Sequence, residues 1–397
     1  MNKIKKKNLF IELKDDNLLA AAGAYDEELN FKILEKEIFS TSEFKNGKIT
    51  NLEKSVESIK KIVNKIENKS NFFFSDVNVI INQTDFDCVN VSGFKKINGN
   101  QILSEDISYI LNDIKLKLTE TEKLKSVIHL FNTKYLLDNK EIKNLPIGLH
   151  GDFYSHQLTF FMIKDNEIKN IKSLFNKCNL SLNKIILKSF TDGINTINKY
   201  KKDTFIKVKL DKENTYLTFF SESSFCYFQK FHFGSDIIIK DISKVCSLEI
   251  SSVRNIILGT DFESPNKDQY VEKKYLDEGN SRKISLKHVI DIASARIEEI
   301  ANIVFNKNKN LNSLRDKNKL NLYLEFDDKE IMSQFSHLFS NYFLKSKLTL
   351  VRSIDEDPFV SIKIFGELLI KGWSREAIPV VNKKKSWISR IFSGLFE

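Results

Sequence analysis

The first 39 residues constrain the fold most. Three apolar runs, at 8–13, 18–24 and 29–39, are strand-like, and a polar turn at 14–17 separates the first two. After Gly47 the period changes: Val56, Ile59, Ile62, Val63 and Ile66 recur at three- and four-residue intervals within 51–67, the spacing of one helix face. Strand, turn, strand, strand and helix in that order predict a hairpin-led α/β domain.

The same alternation continues along the chain. Strands are expected at 77–81 and 88–94, then a helix at 104–118 with Ser104 as its N-cap and Glu105 and Asp106 in its first turn. Strands at 127–135 and 157–163 follow, and a helix carrying Leu174, Phe175 and Leu180. Further strands are read at 204–210, 216–220 and 226–233. A charged stretch, 261–279, contains Pro265 and reads as loop with a short irregular strand. The clearest helix is 286–305, with Val289, Ile292, Ala293, Ile297, Ile300, Ile303 and Val304 expected inside. A strand at 320–326, a helix at 330–343, a strand at 348–351 and a helix at 358–370 complete the pattern.

Composition bounds the function. A chain of 397 residues, 41% apolar and 29% charged, can build two or more domains with real cores. The net charge of +9 is spread evenly and not gathered into one patch, so nucleic acid is not an expected partner. Cys88, Cys178, Cys226 and Cys246 show no CxxC spacing, and the six histidines show no HxH or HExxH pattern, so neither a metal site nor a disulfide framework is indicated. Apolar residues near the start are interrupted at Glu12, Lys14, Asp15 and Asp16. No signal-peptide core is read there, and a cytosolic location is expected.

The last residues have a different character. Trp387 and Ile388, Ile391 and Phe392, and Leu395 and Phe396 form apolar pairs at a four-residue step, which places all three on one face of a helix. Lys383, Lys384 and Lys385 precede them, and Arg390 sits between pairs, where a long side chain can reach lipid phosphates. The run falls short of the roughly 20 apolar residues that span a bilayer. It is read as an amphipathic helix, 386–397, lying in an anionic membrane surface after a linker, 376–385; the alternative is docking on its own domain.

Several segments carry a family resemblance. Gly47-Lys48-Ile49-Thr50-Asn51-Leu52-Glu53 leads into a helix beginning Val56-Glu57-Ser58-Ile59. The loop Ile142-Lys143-Asn144-Leu145-Pro146-Ile147-Gly148-Leu149-His150-Gly151 differs from the family's by one inserted residue. The turn Phe233-Gly234-Ser235-Asp236 opens the second half, and Ser294-Ala295-Arg296-Ile297-Glu298-Glu299-Ile300 lies on the clearest helix. In order and spacing these resemble the cell-division protein FtsA family across nearly the whole chain. The resemblance implies an actin-like (actin/Hsp70 superfold) two-domain α/β fold with an inserted SHS2 subdomain. Subdomain 1A would take 8–76 and 166–202, the SHS2 insertion 77–165, subdomain 2A 203–260 and 316–375, and subdomain 2B 261–315. The implied function is that of an adaptor tying FtsZ filaments to the cytoplasmic face of the plasma membrane at the division site, with other septal proteins on the SHS2 block and self-association. The alternatives are an actin-like ATPase and a PilM-type pilus or secretion assembly protein.

The resemblance also implies ATP and Mg²⁺, held in the family by glycine-bearing turns where backbone amides crowd the phosphates. Here the residues at those places are wrong for it. The first turn offers Glu12-Leu13-Lys14-Asp15-Asp16, the second Lys209 to Tyr216 with Asp211 and only Thr215 kept, and the third Leu324 to Lys329 with Asp327 and Asp328. Carboxylates repel phosphates, by about 4 kcal/mol per like pair at ~4 Å in an effective dielectric near 20. The expectation is no ATP turnover and no catalytic residue. For the partner, the resemblance points to the helix at 286–305, where Arg296 and Glu299 are placed to meet the FtsZ C-terminal peptide; an ion pair in solvent, or a remnant of nucleotide contacts, is the competing reading.

Overall fold

The structure, a computed structural model, describes residues 7–260, 262, 269–275, 283–312, 320–327, 334–343, 347–351 and 357–376. Among these the chain divides into two compact units, one of residues 7–203, 220–227 and 357–376, the other of residues 204–219 and 228–351.

The first unit is built on a five-stranded sheet of order β11-β6-β1-β2-β3. β1 (Asn8–Leu13), β2 (Asn17–Tyr25) and β3 (Phe31–Ser40) form an antiparallel meander, and β6 (Asp76–Ile81) and β11 (Ser181–Leu187) add parallel to the other side of β1. A two-stranded ribbon, β4 (Phe44–Lys45) and β5 (Lys48–Ile49), precedes α1 (Leu52–Ser70). Asn51 caps that helix by accepting from the Lys54 N–H, and the helix stops at Asn71 in the left-handed region. Ile59, Ile62, Val63 and Ile66 are the buried face, as the periodicity requires. Burying each such side chain contributes roughly 1.5–3 kcal/mol.

Between β6 and β11 the chain builds a block with its own core. The sheet order is β7-β10-β8-β9, from β7 (Asp87–Lys96), β8 (Lys125–Leu137), β9 (Lys140–Ile142) and β10 (Phe153–Lys164), and α2 (Ser104–Thr121) packs against it. Ile107, Ile110, Leu111 and Ile114 of α2 meet Leu130, Leu158, Phe160 and Met162 of the strands. Ser104 is not the cap: it lies within the helix, and Leu103 occupies the cap position. The Asp106 carboxylate accepts the Leu103 N–H at 2.7 Å, so the acid three residues on does the capping. α3 (Asp165–Asn176) and α4 (Lys188–Tyr200) flank β11, and α10 (Val360–Lys371) packs with α4 and on β1 and β3.

The second unit repeats the plan. Its sheet runs β14-β13-β12-β15-β16, from β12 (Phe205–Leu210), β13 (Thr215–Ser221), β14 (Ser224–Phe231), β15 (Asn321–Phe326) and β16 (Lys347–Val351). Each sheet thus places its first strand at the centre, two following strands to one side, and two later parallel strands to the other. The helices are α5 (Asp236–Cys246), α6 (Ile250–Gly259), α7 (Leu286–Ala301), α8 (Lys309–Asn312) and α9 (Ser336–Tyr342). α7 runs straight into a π-helical turn, Asn302–Asn306. The wider repeat of that turn rotates Ile303 outward, to 44% exposed, against the expectation that it lies inside. Val289, Ala293, Ile297, Ile300 and Val304 are buried as expected.

Candidate functional site

Two turns of one construction stand at corresponding places in the two sheets. The β1–β2 hairpin closes with the Lys14 N–H donating to the Asn17 carbonyl at 3.1 Å, and the β12–β13 hairpin with the Asp211 N–H donating to the Asn214 carbonyl at 2.9 Å. No residue of 14–17 or 211–214 has a positive φ, so neither turn calls for glycine.

In the first unit Glu12 is fully buried near the end of β1. Its Oε1 lies 3.6 Å from Lys14 Nζ and 3.9 Å from Lys188 Nζ, and neither carboxylate oxygen makes a hydrogen bond. Burial pushes the Glu12 carboxyl above its usual range, against the pull of Lys188 and Lys14. Lys188, the first residue of α4, also donates to Asp192 at 2.5 Å and to the Ser361 hydroxyl at 2.6 Å. Asp15 is half-buried with Oδ1 unbonded, and Asp16 is exposed.

In the second unit, parallel pairing of β12 with β15 sets Leu210 beside Phe326, so Asp211 and Asp327 emerge as neighbours. Lys209 Nζ lies 3.2 Å from Asp211 and 3.1 Å from Asp327. Burial pushes the Asp211 carboxyl up to about 7; Lys209 opposes the rise and Asp327 adds to it. The amides that lead into α5 are already engaged: the Ser235 N–H donates to the Asp211 carbonyl at 2.8 Å and the Asp236 N–H to the Lys212 carbonyl at 3.0 Å. Gly234 makes this approach practicable, since a Cβ there would stand 2.2 Å from the Asp211 carbonyl oxygen. Thr215 is buried, and its hydroxyl donates to the Phe233 carbonyl at 2.7 Å.

Farther along the second unit, a groove of about 660 Å³ runs between β14 and the end of α7, lined by Phe231, Ala295, Glu298, Glu299, Ile303 and Lys307 among others. β14 is an edge strand of its sheet. Arg296 is not among the lining residues. Its Nε donates to Asp241 of α5 and its Nη1 to Glu299, both at 2.5 Å, so the side chain is held across α5 and α7. The sequence-predicted pair is therefore brought together, with Glu299 at the groove and Arg296 behind it. Asp241 could not be foreseen as the third member, because only the packing of α5 on α7 delivers it.

No family model matches the chain. It is 20% identical over 299 residues to the cell division protein FtsA of Neisseria meningitidis serogroup B, covering 74% of this chain and 72% of the relative. It is 21% identical over 315 residues to the cell division protein FtsA of Buchnera aphidicola subsp. Schizaphis graminum, covering 77% and 74%. Among solved structures, the PilM-PilN type IV pilus biogenesis complex superposes with a TM-score of 0.53 over 99% of this chain and 96% of that one, at 9% identity. The chain is an FtsA-like protein with an actin-like fold. The likeness to the pilus complex shows the fold alone.

The fold implies a nucleotide, which the residues of these turns would have to fit. Within each unit, among the described residues, they do not. The β1–β2 turn carries the carboxylates of Asp15 and Asp16, where phosphate oxygens need donors, and the buried Asp15 Oδ1 has no hydrogen-bond partner. In the β12–β13 turn the amides before α5 are taken by carbonyls, and Thr215 by Phe233. Lysines at both places are paired with carboxylates of the same unit. Asp328 and Lys329 of the third turn lie outside the described residues, as do Lys383, Lys384, Lys385 and all of 387–396 in the amphipathic tail. No helix among the described residues is long and apolar enough to cross a membrane.

Proposed function

We propose that this chain is a cell-division adaptor that ties FtsZ filaments to the cytoplasmic face of the plasma membrane at the division site, by tethering and without ATP turnover. The observation that carries the reading is the similarity to proteins named cell division protein FtsA over about three quarters of both chains. The groove beside α7 suits the proposed partner. Phe231, Ala295 and Ile303 offer an apolar floor, and Glu298, Glu299, Lys307 and Lys309 offer charges of both signs, which is what a mixed-charge peptide with an apolar anchor requires. The tail, residues 383–397, supplies the lipid contact, with six large apolar residues paired at a four-residue step and four cations. Joining the two grips in one molecule raises the effective concentration of filament at the membrane without new contacts. The inserted block, read from the sequence as 77–165 and with a sheet and core of its own over 87–164, serves as the SHS2 surface for other septal proteins.

The test is reconstitution. FtsZ filaments are sedimented with anionic vesicles, with and without the full chain. Filaments are expected in the vesicle pellet only when the chain is present, and equally without ATP. Filaments left in the supernatant, with the chain itself on the vesicles, would overturn the tether.

A further inference from the structure

Gly372, at φ 64, ends α10 and turns the chain away from the helix. The next four residues are seated on the first unit at four points. The Trp373 indole N–H donates to the Ser223 carbonyl at 2.6 Å. The Arg375 guanidinium donates to the Glu222 carbonyl at 3.2 Å and to the Glu222 carboxylate at 2.6 Å. The Arg375 carbonyl accepts the Asn132 N–H at 2.9 Å, and Glu376 forms an antiparallel bridge with Phe131. Glu376 ends the seat, 7% exposed, with its Oε1 2.5 Å from His129 Nδ1.

Each contact answers a need of the surface beneath it. β9 pairs with β8 only at residues 135–137, so the flank of β8 at Phe131 and Asn132 is an open edge, and residues 375–376 close it. Glu222 and Ser223 form the tip of the β13–β14 hairpin, both in the left-handed region, at φ 49 and 67, which side chains other than Asn, Asp and Gly disfavour. Both of their carbonyls are bonded by the segment. His129 is fully buried, and its Nε2 accepts the Leu187 N–H at 3.1 Å. That leaves the proton on Nδ1, where it is donated to Glu376. The Glu376 carboxylate is held by this bond on one side only, since Oε2 has no partner. The seat is thus specific in geometry, and the carboxylate oxygen buried without a partner at its last residue carries a desolvation cost that release to water would relieve.

We propose that residues 373–376 are a releasable strap, which sets where the following C-terminal segment leaves the first unit and how far it can reach. Released, five residues from Gly372 to Glu376 join the tether, adding at most about 18 Å at roughly 3.3–3.6 Å per extended residue. The consequence for filament-to-membrane spacing rests on the tether reading above; the strap itself does not.

The full chain carrying Trp373→Phe with Arg375→Ala is compared with the native chain by amide exchange. The Asn132 amide is expected to exchange on the order of tenfold faster in the variant, with the β1 and β6 amides unchanged. Equal Asn132 protection in both chains would overturn the strap. A fluorophore pair at exposed Lys96 and at residue 397 then reads reach in solution, where a wider distance distribution is expected in the variant. An unchanged distribution would overturn the control of reach. If the double variant unfolds, Arg375→Lys, which keeps the cation but loses the two-nitrogen grip, replaces it in both measurements. Sedimentation of the native chain with vesicles is scored separately: its failure counts against the membrane reading and leaves the exchange and distance results to judge the strap.

Discussion

Asp211 and Asp327 end two adjacent parallel strands and hold Lys209 between them, at 3.2 and 3.1 Å. Two carboxylates share one cation at the strand ends where this fold class places its ligands.

That arrangement makes stability depend on pH. The Asp211 carboxyl is raised from 3.8 to about 7 in the folded chain. Between those values the folded protein keeps a proton that the unfolded chain has released, so the group's stabilising contribution is complete below about pH 4 and is lost as pH rises towards 7. Asp211→Asn removes the penalty. It is expected to stabilise the protein by about 1–3 kcal/mol at pH 8 and by little at pH 4, read from denaturant midpoints at the two values. Equal effects at both would show that Asp211 does not titrate in this window.

Calorimetry with ATP and Mg²⁺ is expected to show no heat of binding in the micromolar range. The reason is the internal pairing of Lys188 with Asp192 and of Lys209 with Asp211 and Asp327. A clear micromolar isotherm would mean that these lysines leave their carboxylates for phosphate, and the no-turnover reading would then fail.

At the groove, Glu299→Lys is expected to weaken FtsZ-peptide binding by about 1–2 kcal/mol, measured by fluorescence anisotropy. Its fold should stay within about 1 kcal/mol of native, because Glu299 is half-exposed and Arg296 keeps its bond to Asp241. Arg296→Glu should lower affinity and stability together, since it sets a third acid beside Asp241 and Glu299. Native affinity in folded Glu299→Lys would remove the groove as the peptide site and leave the tether intact.

For the tail, a fluorescent fusion of residues 383–397 should bind anionic vesicles, and Trp387→Glu with Phe392→Glu in the full chain should abolish co-sedimentation. Each acidic substitution replaces an apolar side chain whose burial at an interface contributes up to roughly 2 kcal/mol. Vesicle binding that survives both changes would place the anchor elsewhere.

The sequence by itself determined what local periodicity encodes. The meander at 8–39, the buried face of α1 and the buried stripe of α7 follow from side-chain spacing, because a strand repeats every two residues and a helix every 3.6. It also displayed the acids of the three turns, which is why they could be singled out before any neighbour was known. Weak or compensated signals were lost. β9 has only three residues; β11, Ser181–Leu187, carries Asn183 and Lys184 in its middle; and α4 was not distinguished from its surroundings. Ile303 lies outside although the spacing places it inside, because a π-helical turn is not visible in a 3.6-residue repeat. Only the tertiary structure decided which charges neutralise one another. Lys188 serves Glu12 and Asp192, Asp241 completes the Arg296 pair, and His129 meets Glu376 across 247 residues of chain. Coulomb and hydrogen-bond terms act over a few ångströms of space and take no account of sequence separation, so these pairings arise only once each unit has folded.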